Sequence, residues 1–173
     1  RTCKSKLAID ATASFGLERN HNYADVISFS SCKGLLGLTG AGFICYNQNP
    51  KNKVNSFVLN LNNARDKKMT GPYHSIQSLE MILKNFKYFK KSVEINKKLT
   101  LKKFKNHISL PKKNQPLLCT YLNCKVKGKT SKVILYKPRV QLPGSIISHL
   151  GEAHIGAKSK GKKVTEVAID ESK

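Results

Sequence analysis

No run of about 18 apolar residues occurs anywhere in the 173-residue sequence, whose longest apolar stretches are broken by glycine or a polar residue, and this excludes a membrane-spanning helix. The first residues, RTCKSKLAID, hold no initiator Met, no apolar signal core and no small-residue cleavage site, so the expectation is a piece of a longer protein without a secretion signal. Acidic residues are scarce, 10 against 32 Lys and Arg, leaving a net charge of +22 that would attract polyanions at long range. Arginine is scarce too. Arg1, Arg19, Arg65 and Arg139 are the whole set, whereas base reading and bidentate phosphate grip favour Arg over Lys. Lysine accompanied by abundant Asn and Ile is what an AT-rich coding sequence produces, so nucleic acid is kept as the alternative partner only. The five cysteines, Cys3, Cys32, Cys45, Cys119 and Cys124, are an odd and scattered set that reads as free thiols of a reducing compartment, which places the chain in the cytoplasm. A hydrophobic share of 39% is enough for a core and argues against a disordered tail.

The first 46 residues are low in Lys and alternate short apolar runs with Gly and Ser. KLAID (6–10), DVISFS (25–30) and AGFICY (41–46) read as three short buried strands of an α/β sheet. A fourth apolar stretch from Val54 to Leu61 leads to the turn-like MTGPYH. SIQSLEMILKNFKYFKKSV then puts Ile76, Leu79, Ile82, Leu83, Phe86 and Phe89 on one helical face with a basic outer side. Lys-rich residues 92–116, closing on LPKKNQP, read as a linker or hinge. LLCTYLNCKV and SKVILY read as strands joined by the turn KGKT, opening a small α+β unit over 117–173. The organisation expected is therefore a partial large domain at 1–91, a basic linker and a small C-terminal domain.

Open α/β sheets place their ligand sites at the carboxyl ends of strands. Asp10 ends KLAID among small residues, and Lys33 lies in SFSSCKGLLGLTGAGF, where glycines let backbone pack closely around the amine. An enclosed Lys becomes nucleophilic. An amine at one strand tip and a carboxylate at its neighbour suit pyridoxal 5'-phosphate, the Lys binding the aldehyde and the Asp keeping the pyridine nitrogen protonated.

IDATASFG followed by YADVISFSSCKGLLGLTGAGF resembles the class V aminotransferases of the fold-type-I pyridoxal-phosphate family, most closely the branch of the 2-aminoethylphosphonate:pyruvate transaminases. That branch shows Asp-Ala-x-x-Ser-Phe-Gly, an Asp before an apolar strand, a Ser-Ser pair shortly before the Lys and a Gly-x-Gly-Phe strand, here with Cys32 where Asn is common and a shorter connection at LERNHNY. TGPYHSIQSLEMIL (70–83) resembles the family's Thr-x-Pro-x-His segment, which implies that Thr70 reaches the cofactor phosphate of a partner subunit in a homodimer; a hydroxyl there is equally an ordinary helix cap. KVILYKPRVQLPGSIISHLGE (132–152) resembles the small-domain segment in which an Arg grips the substrate acid, a position held here by Ile146, with Arg139 nearby but out of alignment. The resemblance covers the second half of the family's length and implies a fold-type-I large domain followed by a small domain. It also implies transfer of an amino group from a small amine, such as 2-aminoethylphosphonate, to a 2-oxo acid such as pyruvate. Alanine- or serine-glyoxylate aminotransferases and cysteine desulfurases are the other activities of the class. The family's glycine-rich phosphate loop and ring-stacking aromatic have no counterpart in the sequence, so the chain is expected to bind the cofactor poorly alone.

Cys119 with Cys124, and His149 with His154, are each five apart. The gap between the pairs exceeds the usual zinc-finger loop, and an odd offset along a strand turns the thiols to opposite faces, so zinc is set aside and no metal is expected. GLLGLTGAG lacks the Lys-Ser/Thr ending of a phosphate loop and reads as close-packing glycine after Lys33. The lysines at 84–105 and 158–163 read as solvated faces.

Overall fold

The computed structural model describes residues 5–49, 51, 54–56, 60–66, 71–129, 144–154 and 167–171. Strands β1 (Ala8–Asp10), β2 (Val26–Ser30) and β3 (Gly42–Tyr46) form one sheet in that order. β1 runs parallel to β2 with Asp10 opposite Ser28, and β3 is antiparallel to β2 with Ser30 opposite Gly42. The parallel step needs a crossover, which residues 11–25 supply without an α-helix, through a 3-10 turn at His21–Tyr23. Asp25 sets the register. Its carboxylate accepts from the Leu7 N–H at 2.7 Å, and its own N–H donates to the Leu7 carbonyl at 2.8 Å.

All three apolar runs become strands, but they are buried on one face rather than two. Ile9, Ile27, Phe29 and Phe43 turn inward against Ala11, Phe15, Leu35 and Leu79, and Phe15 stacks on Phe29 with ring centroids 3.8 Å apart. The other face keeps Val26 at 37% and Ile44 at 48% exposure. Strands of a mixed sheet covered on one side alternate in this way.

The stretch ending at Leu61 leads into a short helix, α1 (Leu61–Asp66). The long helix expected next is two helices, α2 (Tyr73–Lys84) and α3 (Phe86–Lys103), separated at Asn85. Within α2 the buried residues are Ser75, Ser78, Leu79 and Ile82, while Ile76 and Leu83 are exposed. Each exposed residue sits one position, about 100°, beyond a buried one, so the buried stripe is narrower than hydropathy suggests. Two serines lie in it because the loop preceding β3 packs close. Ser75 donates to the Thr39 carbonyl at 3.0 Å, and the Ser78 hydroxyl accepts from the Leu38 N–H at 3.0 Å.

α3 carries the first part of the segment read as a linker, residues 92–103. Lys is a good helix former. Val93 and Thr100 are buried seven residues apart, and Phe104 is buried just beyond the helix end. After 3-10 turns at Lys105–His107 and Lys112–Asn114, strand β4 (Cys119–Leu122) pairs antiparallel with β6 (Ser145–Ser148), and β5 (Val126–Gly128) with β7 (Val167–Ile169). Lys127 and Gly128 thus belong to a strand rather than a turn; SKVILY lies outside the described residues. One core cluster, Leu17, Leu36, Ile82, Val93 and Ala153, ties the N-terminal part to the C-terminal one, and a second, Phe104, Leu122 and Ile147, lies under β4 and β6. The chain is a mixed α/β structure of small sheets and helices, and among the described residues no helix is long and apolar enough to cross a membrane.

Candidate active site

Because β1 and β2 are parallel neighbours, the loops that follow them leave the same end of the sheet, where Asp10 closes β1 and Lys33 lies in the loop after β2. The two loops touch. The Gly34 N–H donates to the Thr12 carbonyl at 3.3 Å, and a Cβ on Gly34 would stand 2.0 Å from the Phe15 carbonyl oxygen, so only glycine permits the approach. Asp10 is exposed, and its carboxylate accepts from both the hydroxyl (2.6 Å) and the N–H (3.0 Å) of Thr12. These two bonds, the hydroxyl's first, hold its carboxyl below the usual carboxylate range, so Asp10 is ionised at neutral pH. Lys33 is exposed rather than enclosed, its amine open to solvent beside that edge.

The Lys33 loop is tightly fixed. The Ser31 hydroxyl, buried, donates to the Leu38 carbonyl at 2.5 Å and accepts from the Ala41 N–H at 3.3 Å, and the Gly37 N–H donates to the Ser31 carbonyl at 2.8 Å. Leu36 is fully buried with φ at 64°, a left-handed conformation costing a leucine about 1–2 kcal/mol. Its side chain lies in the cluster with Leu17, Ile82, Val93 and Ala153, and that burial holds the strained turn in place.

The Asp10 loop has its own supports, which sequence reasoning missed. Lys90 of α3 donates to the carbonyls of Leu17 (2.7 Å) and Gly16 (3.3 Å), the Glu18 carboxylate accepts from the Leu117 N–H at 2.6 Å, and Ser14 and His21 share a hydrogen bond of 2.8 Å. Lys90 therefore is not part of a solvated face. Nor is Lys97, whose amine donates to the Gln115 carbonyl. Nothing in the pattern of lysines distinguishes these two from their neighbours except helical phase: both fall beside the buried positions Val93 and Thr100.

The remaining candidates are dispersed. Thr70 and Arg139 lie outside the described residues. The segment after Thr70 does enter a helix, with Pro72 in the capping position and no side-chain cap. Ile146 sits half-buried in β6 opposite Tyr121. His149, fully buried, is held by Thr120 at Nε2 (2.7 Å) and Thr100 at Nδ1 (3.4 Å). The Thr100 hydroxyl gives its proton to the Asn96 carbonyl, so its oxygen accepts from Nδ1–H and Nε2 is left to accept from Thr120. Burial, with a smaller push from Lys97, lowers the His149 pKa to about 4. His154 is half-buried, and that burial, with a smaller push from the charge of Lys33, lowers its pKa. Among the described residues no group of three or more His, Cys, Asp or Glu gathers that could hold a metal ion.

The strand end thus presents an ionised carboxylate at Asp10 and an exposed lysine at Lys33, on segments joined through the Gly34–Thr12 bond. No family model, curated protein or solved structure matches the chain.

Proposed function

We propose that the chain carries the amine and the carboxylate of a pyridoxal-phosphate site in a class V aminotransferase, acting on a small amine of the 2-aminoethylphosphonate kind with a 2-oxo acid such as pyruvate as acceptor. The observation that carries this reading is the joining of the Asp10 and Lys33 loops at one sheet edge by the Gly34–Thr12 bond, with Asp10 held ionised. These donors fit the cofactor. Asp10 would hold a proton at the ring nitrogen, and Lys33 would bind at the aldehyde carbon. When bound, pyridoxal phosphate supplies an electron sink for bonds at the amine-bearing carbon. Lys33 Nζ would take a proton from that carbon and return it, as general base and acid. Lys33 has solvent and two fixed loops around it, so the amine is reachable while its backbone is not free to drift.

Treatment of the full-length protein with pyridoxal 5'-phosphate and borohydride, followed by peptide mapping, should leave the pyridoxyl label on Lys33 in preference to the other lysines. Lys33→Ala and Lys33→Arg should both lose it, because a guanidinium stays protonated and does not add to an aldehyde. Label spread evenly over the lysines, or label retained at the same level in either variant, overturns the assignment.

The exposed lysines along α3, Lys87, Lys91, Lys98 and Lys102, favour a second reading, polyanion binding by dispersed charge. Salt-sensitive association with single-stranded nucleic acid that persists in Lys33→Ala, with no selective label on Lys33, is the outcome that would favour it.

A further inference from the structure

Helix α3 uses its lysines in two ways. Lys90 and Lys97 turn towards the molecule and donate to the carbonyls of Leu17 and Gln115. Lys87, Lys91, Lys98 and Lys102 are exposed, and at about 100° per residue they fall in a sector of about 60° on the side away from Val93 and Thr100. Glu94, the single acidic residue of the helix, lies on one flank of that sector. On the other flank, in the next sector of about 40°, stand Tyr88, Ile95 and Leu99, which are 70%, 47% and 46% exposed. A row of cations thus runs beside a row of open apolar side chains, over about 22 Å of helix held to the core by its opposite face.

An occupant of this face must be anionic and aliphatic at once. A nucleic acid meets the first condition, but it gives Ile95 and Leu99 nothing to bury against, and α3 has no Arg to grip phosphate in bidentate fashion. A second copy would set four lysines against four. A folded acidic partner needs about 800 Å² on each side, of which three side chains on one convex helix supply a small part. An anionic bilayer surface satisfies both rows: its headgroups surround the ammonium groups, the lysine stems lie along the apolar row, and the boundary of the acyl chains takes up Tyr88, Ile95 and Leu99. We propose that the outer face of α3 is a docking surface for an anionic membrane, the helix lying in the plane of the headgroups without crossing them. Attachment through four lysines and three apolar side chains is reversible and falls as salt rises.

The test is sedimentation of the full-length protein with vesicles of phosphatidylcholine and phosphatidylserine, and with vesicles of phosphatidylcholine alone. Binding is expected to the first and not to the second. Lys91→Gln combined with Lys98→Gln should weaken it about 25-fold, roughly fivefold for each lysine. Ile95→Ser combined with Leu99→Ser keeps every charge, and it should weaken vesicle binding about tenfold while leaving any association with single-stranded nucleic acid unchanged. Undiminished vesicle binding by the serine variant, or equal binding to both kinds of vesicle, overturns the proposal. So does salt-sensitive binding to nucleic acid with none to vesicles, which assigns the lysines to plain polyanion attraction. Should the multiple variants fail to fold, Tyr88→Trp decides, because it changes one exposed ring for another. Emission that shifts to the blue on the anionic vesicles and is quenched by brominated acyl chains supports the docking face, and unshifted emission overturns it.

Discussion

The loops at the edge of the first sheet and the pocket around His149 solve opposite problems with the same kinds of side chain. At the sheet edge Asp10 and Lys33 are exposed, and the rigidity lies in the backbone beneath them: Gly34 against Thr12 and Phe15, Ser31 across to Leu38 and Ala41, Leu36 pinned in a strained turn. Around His149 the polar groups themselves are buried, and the hydroxyls of Thr100 and Thr120 satisfy both ring nitrogens. Groups of the first kind are available for chemistry with an outside molecule. Groups of the second kind are used up internally, which makes His149 a structural histidine despite a pKa perturbed as strongly as that of many catalytic ones.

The sharpest way to break this comparison is acid. His149 is neutral in the folded chain down to about pH 4 but takes up a proton near pH 6.5 once unfolded. Its contribution is therefore fully present above pH 6.5 and is lost progressively as the pH falls from 6.5 towards 4, by up to about 3 kcal/mol. Denaturant titrations across this window should show that loss, and His149→Gln should flatten it while lowering stability at pH 7. An equally steep decline in the variant would mean that other groups set the acid limit. A smaller effect is expected at the sheet edge, where Gly34→Ala drives a methyl group into the Phe15 carbonyl and should cost about 1–3 kcal/mol. The same substitution should remove selective pyridoxyl labelling of Lys33 yet leave the acid profile of His149 in place. If it moved both together, the two regions would form one cooperative unit. The least effect belongs to the surface. Lys84→Ala removes the exposed pair with Glu80, 2.8 Å apart and one helical turn away, and should leave the denaturation midpoint almost unmoved, with any loss most visible at low salt. A clear drop in the midpoint at physiological salt would show the end of α2 to be less solvated than its exposure indicates.

The strands of the first sheet were readable because KLAID, DVISFS and AGFICY are short apolar runs bounded by Gly, Ser or charged residues. That one face would stay open was not readable, since alternation is blurred when Ala8, Val26 and Ile44 occupy it. Residues 92–103 misled for another reason. Composition marks lysine-rich sequence as solvated, but the spacing of Val93, Thr100 and Phe104 is what places α3 against the core. Of the site, Asp10 and Lys33 stood out by position, whereas Lys90 and Glu18 act through contacts between parts of the chain far apart in sequence, and no local pattern announces them.

The bond from the Leu117 N–H to the Glu18 carboxylate joins residues 99 apart. During synthesis the loop after Asp10 emerges early, but the residue that fixes it is added only after about 5–20 s of further elongation at ordinary translation rates. Through that interval β1 and β2 have their own sequence to pair, while the tether from residue 117 has not yet been made. Maturation of the sheet edge is thus timed by the arrival of the chain's second half, and a pause or truncation before residue 117 would yield a nascent chain in which β1, β2 and β3 are all present and the Asp10 loop still lacks that anchor.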